Sequence, residues 1–339
     1  MKASEYRGEK QFVSVPGESI KPARNEVRLD VVYCGICGTD IHIYQGHMDQ
    51  RVKIPQIIGH ELSARIGEIG SDVDDFEVGE IVTIRPLKPG QLVTSDKGYK
   101  HINQNLEVIG VDLAGGMQSS LTVPAYTLHR IPDGLSLQHG AMIEPLAVAC
   151  HDVRRSGLKA GEITVVLGGG PIGLLIALVA KTKGSRVIIS EINPYRLDLA
   201  ARLGFDTADP MQGDLAEIIR TKTNDYMADI VFEVSGSKAA VADMTAIANK
   251  RGRIVMVAIH PKAQPVDLFR MFLSELTLLG ARVYEAEDFE EAIRLAASGL
   301  IPLDDMITEI ISLDQVQSIF EKIESNPDGM KYLIEIQKS

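Results

Sequence analysis

The stretch "YCGICGTDIH", residues 33–42, places Cys34 and Cys37 in a C-x-x-C with an aspartate and a histidine close behind. Such a pair can be a redox dithiol, half of a structural zinc knuckle, or one functional cysteine beside a packing cysteine. A knuckle needs a second ligand pair, and the remaining cysteine, Cys150, lies far along the chain. A redox pair belongs at the start of a helix in a small α/β domain, whereas this one reads as the end of a strand in a β-rich lobe. One functional cysteine is what remains. Further on, "IGHE" contributes His60 and Glu61, and "MIEPLAVACH" contributes Glu144. A cysteine, a histidine and carboxylates can hold a zinc ion and leave one position open for a reacting oxygen. Taken singly, His60 also reads as a turn histidine, Glu61 as a helix-start acid and Glu144 as a cap before Pro145. Their joint occurrence carries the metal reading.

A second chemical pattern is "GGGPIG": Gly168, Gly170 and Gly173 in G-x-G-x-x-G, with Pro171 and Ile172 between the last two. The first glycine permits a tight turn, the second lets backbone approach a pyrophosphate, and the third lets a helix pack on a strand. The helix N-terminus then offers free N–H groups to the phosphates. The next strand ends at Glu191, placed to accept from a ribose 2′-hydroxyl, which favours NAD over NADP. Arg196, nearby, is the residue type that accommodates a 2′-phosphate.

The elements that must position these residues fall into two groups. Up to about residue 150, "EVRLDVVYCGI", "ELSARIGEIG", "EIVTIRP" and "SSLTVPAYTLHRIP" alternate apolar and polar residues between glycines and prolines, the pattern of a β-barrel or sandwich. From about residue 160, "EITVVLGG", "RVIISE", "DIVFEVSG" and "RIVMVAI" read as apolar strands. They alternate with helices at "PIGLLIALVAKTKG", "YRLDLAARLG" and "VADMTAIANKRG", the signature of a doubly wound parallel sheet. Two more helical patterns and the run "MKYLIEI" follow. The fold class is α/β: a β-rich domain over 1–150, completed by 285–339, and a Rossmann dinucleotide-binding domain over 151–284.

A net charge of −11 disfavours a nucleic-acid partner. No apolar run approaches the roughly 20 residues of a membrane span, no signal peptide is visible, and three cysteines suit a reducing cytoplasm.

In combination, "CGICGTDIH", "GHE", "EPLAVACH", "GGGPIG" and "LLGARVYEAEDFE" closely resemble the zinc-dependent medium-chain dehydrogenases, in the branch of sorbitol, polyol and threonine dehydrogenases. The resemblance covers essentially the whole chain and implies a GroES-like catalytic domain interrupted by the Rossmann domain. It implies that Cys37, His60 and Glu61 form the shell of one catalytic zinc. Glu144 stands in the place of a further ligand or water-bridging carboxylate. Thr39 and His42 match the family's proton relay, and Tyr44 and His47 follow as pocket-lining or surface residues.

The implied reaction is reversible NAD-linked oxidation of a secondary hydroxyl of a polyol, sugar alcohol or sugar acid to a ketone. Oxidation of a threonine-type β-hydroxy amino acid is the alternative. A zinc-free NAD(P)H reductase and a non-catalytic NAD-binding regulator are rivals of other classes, which an intact ligand set argues against. Relatives are commonly homodimers or homotetramers. Many also carry a structural zinc on four cysteines. Here Pro89, Leu92, Ser95 and Asn103 stand in those places, so a single zinc is expected, with a lobe that is mobile unless a neighbouring subunit holds it.

Overall fold

The computed structural model describes residues 1–326 and 328–338. The chain divides into two units, one built from Met1–Glu144 and Phe289–Ser339 and the other from Pro145–Asp288.

The first unit opens with a hairpin of β1 (Lys2–Tyr6) and β2 (Phe12–Pro16). Then come β3 (Glu26–Gly35), α1 (Gly38–Tyr44), β4 (Glu61–Ile69) and β5 (Ile81–Ile84). A small ribbon of β6 (Leu87–Lys88) and β7 (Glu107–Val108) frames the cysteine-free lobe. After it come β8 (Ser120–Pro124), β9 (Leu128–Arg130), α2 (Leu137–Gly140) and α3 (Ile143–Ser156).

The second unit alternates strand and helix: β10 (Ile163–Leu167), α4 (Pro171–Thr182), β11 (Arg186–Ser190), α5 (Pro194–Arg202) and β12 (Asp206–Ala208). It continues with α6 (Leu215–Lys222), β13 (Ala228–Glu233), α7 (Lys238–Asp243), β14 (Ala248–Met256), α8 (Leu268–Ser274) and β15 (Thr277–Gly280). The chain ends with α9 (Ala286–Ala297), α10 (Leu303–Met306), β16 (Ile307–Ser312), α11 (Val316–Ser325) and β17 (Lys331–Glu335).

The sheet of the first unit runs β16-β17-β3-β4-β5-β9, with β8 also paired to β3. β3 is its spine. Residues 26–30 alternate half-buried and buried, whereas Val31–Gly35 are buried without a break. β17 lies against this apolar end, pairing Leu333 with Gly35 and Ile334 with Cys34. On the other side β4 pairs Glu61 with Gly35. Leu29, Val31, Leu62, Ala64, Val82 and Ile84 fill the core beneath.

The second unit is a six-stranded sheet, β12-β11-β10-β13-β14-β15, parallel throughout. Its order reverses between β10 and β13, the switch point at which doubly wound sheets bind nucleotides. α4 is apolar nearly all round because eight successive residues from Gly173 are buried. Among the described residues no helix is long and apolar enough to cross a membrane.

Two local readings of the sequence change. "VADMTAIANKRG" is not one helix: Ser237 caps a helix that stops at Asp243, and strand pairing with β13 has begun by Ala248. Sheet pairing overrides helical propensity there. The C-x-x-C does not merely end a strand, since Cys37 is the N-cap of α1. Cys34 is fully buried, and burial pushes its thiol well above the ordinary value, which keeps it from serving as a redox partner of Cys37.

Candidate metal centre and dinucleotide site

β3 and β4 bring the cysteine, histidine and glutamate together. The Cys37 sulfur, a His60 ring nitrogen and a Glu61 carboxylate oxygen all lie within 4.8 Å of one another. Donors on a common zinc sit about 2.0–2.3 Å from it and so about 4.6 Å apart at most, close to this span. The consecutive His60 and Glu61 both reach the site because Glu61 crosses over Gly35, where a Cβ would collide with its carboxylate. Glu61 starts a strand, not a helix.

The charges here are dense and buried. Asp40, fully buried in α1, accepts from the Cys37 N–H at 2.9 Å, and burial pushes its carboxyl up to about 6. Its other oxygen stands 3.7 Å from His60 Nδ1, too far for a hydrogen bond. Burial alone would lower the His60 imidazole, but Asp40, Cys37 and Glu144 raise it well above the ordinary value. Asp40 Oδ1, His60 Nδ1 and Glu61 Oε1 are buried with no hydrogen-bond partner among the described residues. Sulfur, imidazole and carboxylate donors with unsatisfied buried atoms fit a zinc ion. Glu144, in the first turn of α3, acts on His60 and Lys331 through its charge.

Sequence reasoning missed one member. Lys331, the first residue of β17, bonds Glu61 Oε2 and also donates to the Ile36 carbonyl at 2.8 Å. Burial would lower this ammonium, but Glu61, Cys37 and Glu144 hold it above the ordinary lysine value. The available signal was a charged residue opening the apolar run "MKYLIEI", which named no partner.

Thr39 and His42 lie three apart on one face of α1. The Nδ1 atoms of His42 and His47 are 3.3 Å apart, and burial followed by the His47 charge lowers the His42 imidazole. A second cluster, His151, Glu285 and Asp288, has metal-like spacing. Its cation is already a guanidinium, because Arg154 donates to Asp288 at 2.6 and 2.9 Å and to Glu285 at 2.7 Å.

In the second unit the glycine loop follows β10. Gly168 has φ +106°, a Cβ on Gly173 would collide with the Gly168 carbonyl, and Gly170 caps α4 with Pro171 and Ile172 in its first turn. Glu191 Oε2 accepts from the Gly169 N–H at 2.8 Å, and Oε1 from Ile192 and Asn193 at 2.7 and 2.9 Å. Glu191 thus shapes the loop itself as well as facing it. An Arg196 nitrogen stands 3.9 Å from Glu191 Oε2.

Side chains close the lobe at 89–105. Asp96 accepts from the Val93 N–H at 2.7 Å, and the buried Asn103 bridges the Lys100 carbonyl and the Asn105 N–H, each at 2.8 Å. The Asn105 amide donates to the Gln91 carbonyl at 2.8 Å.

Residues 23–133 match the family model described as the alcohol dehydrogenase GroES-like domain, and residues 171–298 that described as zinc-binding dehydrogenase. The chain is 54% identical to 2-dehydro-3-deoxy-L-galactonate 5-dehydrogenase of Pseudoalteromonas atlantica, across 99% of this chain and 98% of that one. It is 31% identical to (R,R)-butanediol dehydrogenase of Neisseria gonorrhoeae, across 98% and 99%. Its fold matches the crystal structure of a zinc-binding dehydrogenase from Sinorhizobium meliloti 1021 bound to NADP, with TM-score 0.92, 31% identity and 98% of each chain covered. Matched in both domains and nearly end to end, the chain belongs to the zinc-dependent medium-chain dehydrogenases, oxidoreductases that work with a nicotinamide cofactor.

Proposed function

We propose that this enzyme oxidises, reversibly and with NAD, a secondary hydroxyl of a polyhydroxylated sugar acid or polyol to a ketone. The catalytic domain is assigned to 1–150 with 285–339, and the NAD-binding domain to 151–284. The convergence of Cys37, His60 and Glu61 donors carries the reading. The 54% identity to a sugar-acid dehydrogenase orders the substrates, with an acid first.

Cys37 and His60 are assigned as zinc ligands, with Glu61 and Glu144 as carboxylates that ligate directly or through water. Zinc bound there supplies a Lewis acid that draws the hydroxyl pKa towards neutrality. Asp40 orients the ligand set from behind by holding the Cys37 N–H and facing His60. Thr39 takes the substrate proton and His42 passes it outward, a task suited to an imidazole kept neutral near pH 7.

Gly168, Gly170, Pro171, Ile172 and Gly173 cradle the pyrophosphate. Glu191 selects NAD by repelling a 2′-phosphate, with Arg196 beside it. We place the enzyme in the cytoplasm, where its three free thiols stay reduced.

We also infer a homo-oligomer, a dimer or a dimer of dimers. Leu268, Phe269 and Phe272 on α8 are 74%, 69% and 76% exposed, beside the edge strand β15. A two-fold copy can pair that edge with itself and cover this face. Phe272→Glu should then yield a smaller species by light scattering.

The function is tested by assaying zinc-loaded enzyme with NAD or NADP on 2-dehydro-3-deoxy-L-galactonate, sorbitol, butane-2,3-diol and L-threonine. The acid with NAD should give the highest kcat/KM. Best turnover of L-threonine or butanediol would overturn the substrate class, and none with any hydroxyl compound would overturn the reaction.

A further inference from the structure

Glu233 ends β13 with its carboxylate fully buried. Oε1 accepts from the Ser235 hydroxyl at 2.8 Å and the Gly236 N–H at 2.9 Å, and Oε2 from His260 Nε2 at 2.8 Å. The Glu233 carbonyl accepts from the Val257 and Ala258 N–H groups as well. Backbone and side chain together thus fix the segment after β14 on the end of β13.

A carboxylate has no proton to give, so this bond places a hydrogen on His260 Nε2. In the neutral ring Nδ1 is then a bare acceptor. It is buried and has no hydrogen-bond partner among the described residues. A buried acceptor without a donor is costly, and a ligand that donates to it gains what the protein alone forgoes.

Its location says which ligand. Glu233 pairs with Leu167 across β10 and β13. A Cβ on Gly168 would stand 3.0 Å from the Ser235 backbone. Ser235 therefore borders the first loop glycine on the β13 side, with His260 tied to the same strand end through Glu233, as Glu191 borders the loop on the β11 side. A dinucleotide lies across such a switch point with one nucleotide on each side. Glu191 takes the adenosine side, which leaves the nicotinamide nucleotide to the β13–β14 side.

We propose that His260 is a cofactor-binding residue: anchored through Nε2 to Glu233, it accepts at Nδ1 a hydrogen bond from a hydroxyl or carboxamide of the nicotinamide nucleotide. The assignment rests on reading the glycine loop as a dinucleotide site.

The test measures binding of NADH, and of ADP, which lacks the nicotinamide nucleotide, to full-length wild type, His260→Phe and His260→Gln. Phenylalanine keeps the ring volume and removes both nitrogens, whereas glutamine keeps a donor and an acceptor. His260→Phe should weaken NADH by about three- to tenfold, the worth of one hydrogen bond, and leave ADP within about twofold. His260→Gln should recover most of the loss. Equal weakening of both ligands would reduce His260 to a brace for the loop, and no change in either would remove it from the site; each result overturns the assignment.

Wild-type protein that binds neither ligand would overturn the dinucleotide reading itself. A measurement on unaltered protein guards against misfolded variants. With 15N-labelled histidine, the Nδ1 resonance of His260 should move on adding NADH and stay in place with ADP, and an unmoved resonance under NADH overturns the proposal.

Discussion

The Lys331 ammonium and the Glu61 carboxylate meet in a fully buried pair although 270 positions separate them in the chain. β4 sets Glu61 opposite Gly35, and β17, which sets Leu333 opposite Gly35, brings Lys331 to the Ile36 carbonyl next to it. The pair sets the charge balance of the proposed metal centre, because the Lys331 ammonium offsets Glu61 and also faces the charges of Cys37 and Glu144. Glu61 therefore has two suitors, the ammonium and the metal.

Replacing Lys331 by methionine leaves that acid buried and unpaired. Metal-free Lys331→Met should lose about 3–5 kcal/mol in urea unfolding. Zinc-loaded variant should lose clearly less, because the ion takes over the pairing. Equal losses in the two forms would make Lys331 a packing residue.

The two cysteines should separate cleanly. Elemental analysis of the wild type should find about one zinc per chain, and Cys37→Ser should lose it. Cys34→Ala should keep the metal and cost about 1 kcal/mol, the price of a small void in the core. Zinc retained by Cys37→Ser would move the centre elsewhere.

His47 should tune the proton path. Its charge helps to hold the His42 imidazole down. In His47→Gln the His42 pKa rises, so the acidic limb of kcat/KM should shift to higher pH. An unmoved limb would show that His42 does not govern it.

Asp152 is buried with both oxygens unpartnered among the described residues, and burial followed by the Asp288 charge pushes its carboxyl well above the ordinary value. The folded chain therefore keeps a proton that the unfolded chain sheds above about pH 4. Stability falls as pH rises from there through the folded-state pKa. Asp152→Asn should remove this slope and raise the unfolding midpoint at neutral pH by a few degrees, about 1 kcal/mol. A pH profile parallel to wild type would refute the assignment.

The legible parts of this molecule are those whose signals are contiguous. "GGGPIG" announces its own turn and helix, and Glu191 follows at the next strand end. "CGICGTDIH" and "GHE" mark the donors, although α1 escaped notice because it has only seven residues and opens on glycine. Lys331 and His260 were not legible, since each acts on a partner that only sheet pairing brings near. The register around Gly35 and the ordering of β13 beside β14 decide both contacts, and neither is written locally. The helix reading at Val241–Gly252 failed for the same reason, because β13 claims the segment from Ala248 onward.

The place of β17 between β16 and β3 has a consequence for synthesis. The segment that carries Cys37, His60 and Glu61 leaves the ribosome early, yet the strand that supplies Lys331 leaves it near the end. At about 5–20 residues per second the interval between them is on the order of ten seconds or more. Throughout it, the apolar edge of β3 and the charge of Glu61 lack their natural cover. The parallel sheet in the middle of the chain can assemble within that window. The first unit thus stays incomplete until synthesis nears its end, and chains stalled before residue 331 should be cut by protease within 1–144 while 145–288 resists.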